Sequence, residues 1–73
     1  MAVFKVIEVL GASGKSWEDA AQNIVEEASK TVKNIRSIYL ENLSAKVEDN
    51  KIVEFRIDGK VTFEIQKMEE ILN

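Results

Sequence analysis

Among the 73 residues there is no cysteine and no histidine. Without Cys the chain has no disulfides and no thiolate metal site. Without His it lacks the commonest transition-metal ligand and the commonest general base. No nucleophile–base pair remains visible, since the serines sit in turns or on strands, and the expectation is a protein that is not an enzyme. Basic charge is scarce as well: the net charge is -3 and the pI about 4.9. Phosphate recognition needs a basic stripe, so nucleic acid is not the expected partner. Long apolar runs are also missing. The opening MAVFKVIEVLG carries Lys5 and Glu8 within its apolar stretch. It does not read as a signal peptide, and no later segment is expected to enter a membrane. The default expectation is a cytoplasmic protein.

A chain this short reads as one domain, 1–73. It buries a modest fraction of its surface and is marginally stable alone. The usual supports are disulfides, a structural metal or oligomerisation. Oligomerisation is the support left.

What is present reads as β-α-β-β. Ala2 to Leu10 is apolar and β-branched, a strand. Gly11 to Lys15 reads as the turn after it. Ser16 looks like a helix N-cap, with Asp19 three positions on as a variant of the capping box. Trp17, Ala20, Ala21, Ile24, Val25, Ala28 and Val32 recur at helical spacing. Lys30 and Lys33 are expected in the last turn, where the helix dipole favours cations, and Asn34 reads as the stop. Ile35 to Val47 reads as a second strand whose alternation slips between Tyr39 and Leu43, predicting a bulge. Glu48-Asp49-Asn50-Lys51 is a polar hairpin turn. Ile52 to about Gln66 is a third strand, with Val53, Phe55, Ile57, Gly59, Val61, Phe63 and Ile65 on one face. Glu54, Arg56, Asp58, Lys60, Thr62 and Glu64 share the other. The tail KMEEILN carries no clear signal.

Gly14-Lys15-Ser16, between a strand and a helix, has the look of a phosphate-binding loop. That motif is G-x-x-x-x-G-K-[ST], and the position of its first glycine is held by Val9. Gly11 leaves the loop too short to wrap phosphate. The better reading is structural: Gly11 and Gly14 relax the turn, and Ser16 caps the helix.

The strand and helix lengths point beyond one chain. A third strand of about 14 residues extends roughly 48 Å. A helix of about 16 residues reaches roughly 24 Å. Apolar positions the helix leaves uncovered must meet another subunit, or the sheet must curl around the helix. The expectation is a closed homo-oligomer.

VFKVIEVLGAS, the helix SWEDAAQNIVEEASKTVKNI and the strand VEFRIDGKVTFEI together resemble the dodecin family. The resemblance runs in the same order over almost the whole chain. It implies an α+β subunit whose three-stranded antiparallel sheet wraps one helix, assembled as a hollow homododecamer. It implies small-molecule storage: many dodecins hold riboflavin, FMN or FAD in pairs between subunits, and some hold coenzyme A or divalent cations.

Flavin-binding dodecins stack the flavin on a Trp near the start of the second strand. A Gln on their third strand bonds the ring edge. Here Ser37 stands at the Trp position and Arg56 at the Gln position. Serine offers no π surface. Base–aromatic stacking, a fair analogue, is worth about 1–3 kcal/mol per ring, so flavin binding is expected to weaken roughly ten- to a hundred-fold or more. Arg56 keeps donors but loses the acceptor. Tyr39 shares a strand face with Ser37, and reads either as a partial replacement for the stacking surface or as a half-buried strand tyrosine. Arg36 and Arg56 either approach an anionic ligand, since arginine forks suit phosphate and carboxylate, or pair with Glu41, Glu54 or Asp58. Glu48, Asp49 and Asp58 offer oxygen ligands to a hard cation such as calcium, or form a solvated acidic face. Trp17 reads as a packed aromatic at the start of the helix. Two functions stay open: a small-molecule store holding flavin or a related ligand, and a structural shell without flavin that takes another anion or a divalent cation.

Overall fold

β1 runs over Val3–Ser13, α1 over Trp17–Ala28, β2 over Ile35–Glu48 and β3 over Lys51–Ile65. The structure is a computed structural model that describes residues 2–65. Expectations for the tail at 66–73, and for a third strand reaching Gln66, lie outside the described residues. The strands form one antiparallel sheet in the order β1-β3-β2. The α+β class and β-α-β-β order read from the sequence are observed.

α1 lies on the face of the sheet to which Ile57, Gly59 and Val61 point. Ala20, Ile24, Ala28, Ile57 and Val61 are buried and form the core, with Ile7, Val9, Trp17, Val32, Ile35 and Ile38 packed around it. The helix approaches β1 and β3 closely because both strands present glycine beneath it. A Cβ on Gly11 would overlap Ile24 and lie 2.9 Å from the Ala20 carbonyl oxygen. A Cβ on Gly59 would sit 2.9 Å from Ile38 Cδ1 and 3.0 Å from Ile24 Cδ1. This corrects the reading of Gly11 as a turn residue. β1 continues to Ser13, and Gly11 serves the packing of helix on sheet.

Ser16 caps α1 as expected, its Oγ accepting from Asp19 N at 2.9 Å. The Asp19 carboxylate accepts from Ser13 Oγ at 2.6 Å, and the same Oγ accepts from Lys15 N at 2.9 Å. The loop at Gly14-Lys15-Ser16 is therefore closed by its own hydrogen bonds, in line with the structural reading. The far end of α1 differs from expectation. The helix stops at Ala28, so Lys30 and Lys33 lie beyond its last turn. Ser29 Oγ bonds back to the Glu26 carbonyl at 2.7 Å and Thr31 Oγ1 to the Ala28 carbonyl at 3.3 Å. Such local bonds compete with continued helix. Asn34, with φ 63°, turns the chain into β2.

β2 and β3 join through Asp49 and Asn50, both left-handed at φ 51° and 63°. That is the geometry a two-residue hairpin turn demands. The expected bulge in β2 is present: register shifts between Glu41 and Ser44, with Asn42 left-handed at φ 56°.

Candidate functional site

The sheet face turned away from α1 carries Glu8 and Leu10 from β1, Glu41 from β2, and Arg56, Asp58 and Lys60 from β3. Pairing sets them in rows: Leu10 and Glu41 both oppose Asp58, and Glu8 and Tyr39 both oppose Lys60. Carboxylate oxygens of Glu8, Glu41 and Asp58 lie within 4.8 Å of one another. Lys60 Nζ meets Glu41 Oε1 at 3.1 Å.

Asp58 is the unusual member. On a face read as polar and solvated it is only 8% exposed. Its Oδ2 accepts from Asn42 Nδ2 at 3.3 Å. Its Oδ1 is buried and has no hydrogen-bond partner among the described residues. An unpaired buried carboxylate oxygen is costly. The Glu8 carboxyl titrates above the usual range, first because Asp58 hydrogen-bonds its protonated form and then because Asp58 repels its charge. Lys60 is raised by its hydrogen bond and attraction to Glu41. Three neighbouring carboxylates, one of which keeps an unpaired buried oxygen, fit a hard cation of the calcium type.

Beside the cluster lies a cleft of about 500 Å³, lined by Leu10, Gly11, Ala12, Asn42, Ser44, Arg56, Ile57 and Asp58. None of these side chains is aromatic. A second, more open hollow of about 630 Å³ lies between the α1–β2 connection and the end of β3.

The residues singled out from sequence are spread along the sheet. Arg56 lines the cleft, and its Nε donates to Glu54 Oε1 at 2.7 Å. Ser37 opposes Thr62, six positions along β3 from Arg56, or roughly 20 Å away. Arg36 lies beside Ser37 and pairs with Glu64 at 3.1 Å, a partner the sequence reading did not name. Within one chain the Ser37 and Arg56 positions therefore do not meet. Tyr39 is 65% exposed, more than the half-buried reading expected. Glu48 and Asp49 sit at the hairpin turn, away from Asp58, whose acidic neighbours are Glu8 and Glu41 instead. Trp17 is packed as expected: its ring meets Phe55 edge-on at 4.8 Å, and its Nε1 donates to the Ser44 carbonyl at 2.9 Å.

The family model described as Dodecin matches residues 3–66. The chain belongs to the dodecin family. It is 33% identical over 66 residues to calcium dodecin of Mycobacterium tuberculosis, covering 90% of this chain and 93% of that protein. A crystal structure of calcium dodecin from that species is described as a calcium-chelating immunodominant antigen with a novel calcium-binding site. It superposes with a TM-score of 0.75 at 32% identity, covering 90% of this chain and 94% of the other. Dodecin from Streptomyces coelicolor superposes with a TM-score of 0.84 at 23% identity, covering 90% and 94%. That last likeness concerns the dodecin fold alone. No helix among the described residues of this dodecin is long and apolar enough to cross a membrane.

Proposed function

We propose that this dodecin is a cation-binding member of its family that holds a hard divalent cation, calcium first among them, and does not turn over a substrate. The observation that carries the reading is the buried, unpartnered Oδ1 of Asp58 inside the Glu8–Glu41–Asp58 group. The relative named calcium dodecin supports the same class of ligand. The cation neutralises repulsion that the free chain tolerates through a raised Glu8 and the nearby Lys60. Calcium takes about 6–8 oxygen ligands, so water completes a shell that three carboxylates begin.

The assembled form in this reading is a closed homo-oligomer, the hollow dodecamer the family resemblance implies. The exposed apolar residues Phe4, Val6, Leu43, Val47 and Ile52 support it. Flavin storage is a second reading, favoured by the exposed ring of Tyr39 beside Lys60. The absence of an aromatic ring from the cleft lining and the serine at position 37 weigh against it.

Titration calorimetry with calcium tests the first reading. The expected result is saturable binding that weakens at least about tenfold in Asp58→Asn, which removes one charged ligand at equal size. Identical binding by parent and variant would sink it. Flavin fluorescence tests the second: quenching on titration that Tyr39→Ala abolishes would revive it.

A further inference from the structure

The cleft is of the size that takes small molecules, generally about 300–1,000 Å³. A hydrated ion needs far less. Two charged residues of opposite sign line it, Asp58 and Arg56. They lie two residues apart on one strand face, with Cα atoms roughly 7 Å apart. Arg56 is committed to Glu54 through Nε; the two terminal guanidinium nitrogens carry the donors that suit phosphate forks. Leu10, 78% exposed, supplies an apolar wall.

Charge decides what enters. Glu8, Glu41 and Asp58 against Lys60 leave the group with an excess of negative charge, which repels an oxyanion. A divalent cation would cancel that excess, and Asp58 belongs both to the acidic group and to the cleft lining. We propose that the cleft binds a phosphate-type oxyanion only together with the cation, with the guanidinium of Arg56 holding the anion. This inference rests on the cation reading above. It makes this dodecin a holder of a cation–phosphate pair rather than of either partner alone. Linkage then requires that phosphate tighten the binding of calcium by the factor by which calcium tightens phosphate.

The test is titration calorimetry of calcium into the full chain in its native assembly, without phosphate and then with millimolar phenyl phosphate or inorganic phosphate. The expected result is calcium binding about tenfold tighter with phosphate present, within the usual range of coupling. In Arg56→Gln the dependence on phosphate is lost. Equal tightening by both probes identifies the free ion as the ligand; stronger tightening by phenyl phosphate identifies an ester whose organic part meets Leu10. Calcium that binds with an affinity indifferent to phosphate overturns the inference and leaves the cation reading standing. Tightening that survives in Arg56→Gln also overturns it, because Arg56 is then no part of the site. A chain that binds no calcium in either condition overturns both.

Discussion

Glu8 and Lys60 offset the repulsion within the acidic group, and they titrate at opposite ends of the pH scale. Glu8 has its folded pKa raised by Asp58. Its proton therefore stabilises the fold at acid pH, and that contribution is lost as pH rises through the raised value. Lys60 is raised by Glu41. Its contribution is present at neutral pH and lost only as pH climbs through its raised value. Melting in chelator should show both. Glu8→Gln is expected to melt higher than the parent at neutral pH, with the difference closing toward pH 4, where Glu8 is protonated. A difference that does not depend on pH would contradict the shared proton. In the proposed cation-bound form, Lys60 would compete with the metal for Glu41, with which it pairs here. Lys60→Met should tighten calcium by several-fold, on the order of a unit charge removed near the surface, and the gain should shrink as salt rises. Weaker calcium binding in that variant would mean that Lys60 organises the site instead of occupying it.

The elements are held by two close approaches and one turn, and these differ in how far sequence reveals them. Gly11→Ala is expected to cost about 1–3 kcal/mol by overpacking against Ile24, read as a lower denaturant midpoint. Gly14, where an added Cβ would meet nothing within 4 Å, should accept alanine with little change. Both glycines look alike in sequence, because a glycine wanted for space and one in a loop leave the same letter. The three strands and the hairpin turn were legible from alternation and from Asp49-Asn50, whereas the pairing of β1 with β3 was not. The end of α1 was not, because helical spacing continues to Val32 while Ser29 and Thr31 divert the backbone first. The acidic group was half legible. Counting outward from the hairpin turn pairs Glu41 with Asp58, as observed, since one extra residue on each strand cancels in the register. Glu8 arrives through the β1–β3 pairing, which no tight turn fixes. The burial of Asp58 is invisible in an alternation that assigns it to the solvent side.

At the scale of the molecule, five buried apolar residues among those described make a small core. α1 has 12 residues, or about 18 Å of helix. β3 has 15, or roughly 50 Å of strand. The mismatch is larger than the sequence suggested, because the helix is shorter. Native mass spectrometry should find a species near 100 kDa, the dodecamer of an 8.3 kDa chain. A monomer would leave the exposed Phe4, Val6, Val47 and Ile52 without a cover. One contact also gives the protein a private optical signal. Trp17 is the sole tryptophan, and its indole N–H is tied to the Ser44 carbonyl, at the wall of the cleft. A ligand that shifts that wall would change the surroundings of the only indole in the chain, so a colour change in its emission is the expected sign of such a ligand, with no dye needed.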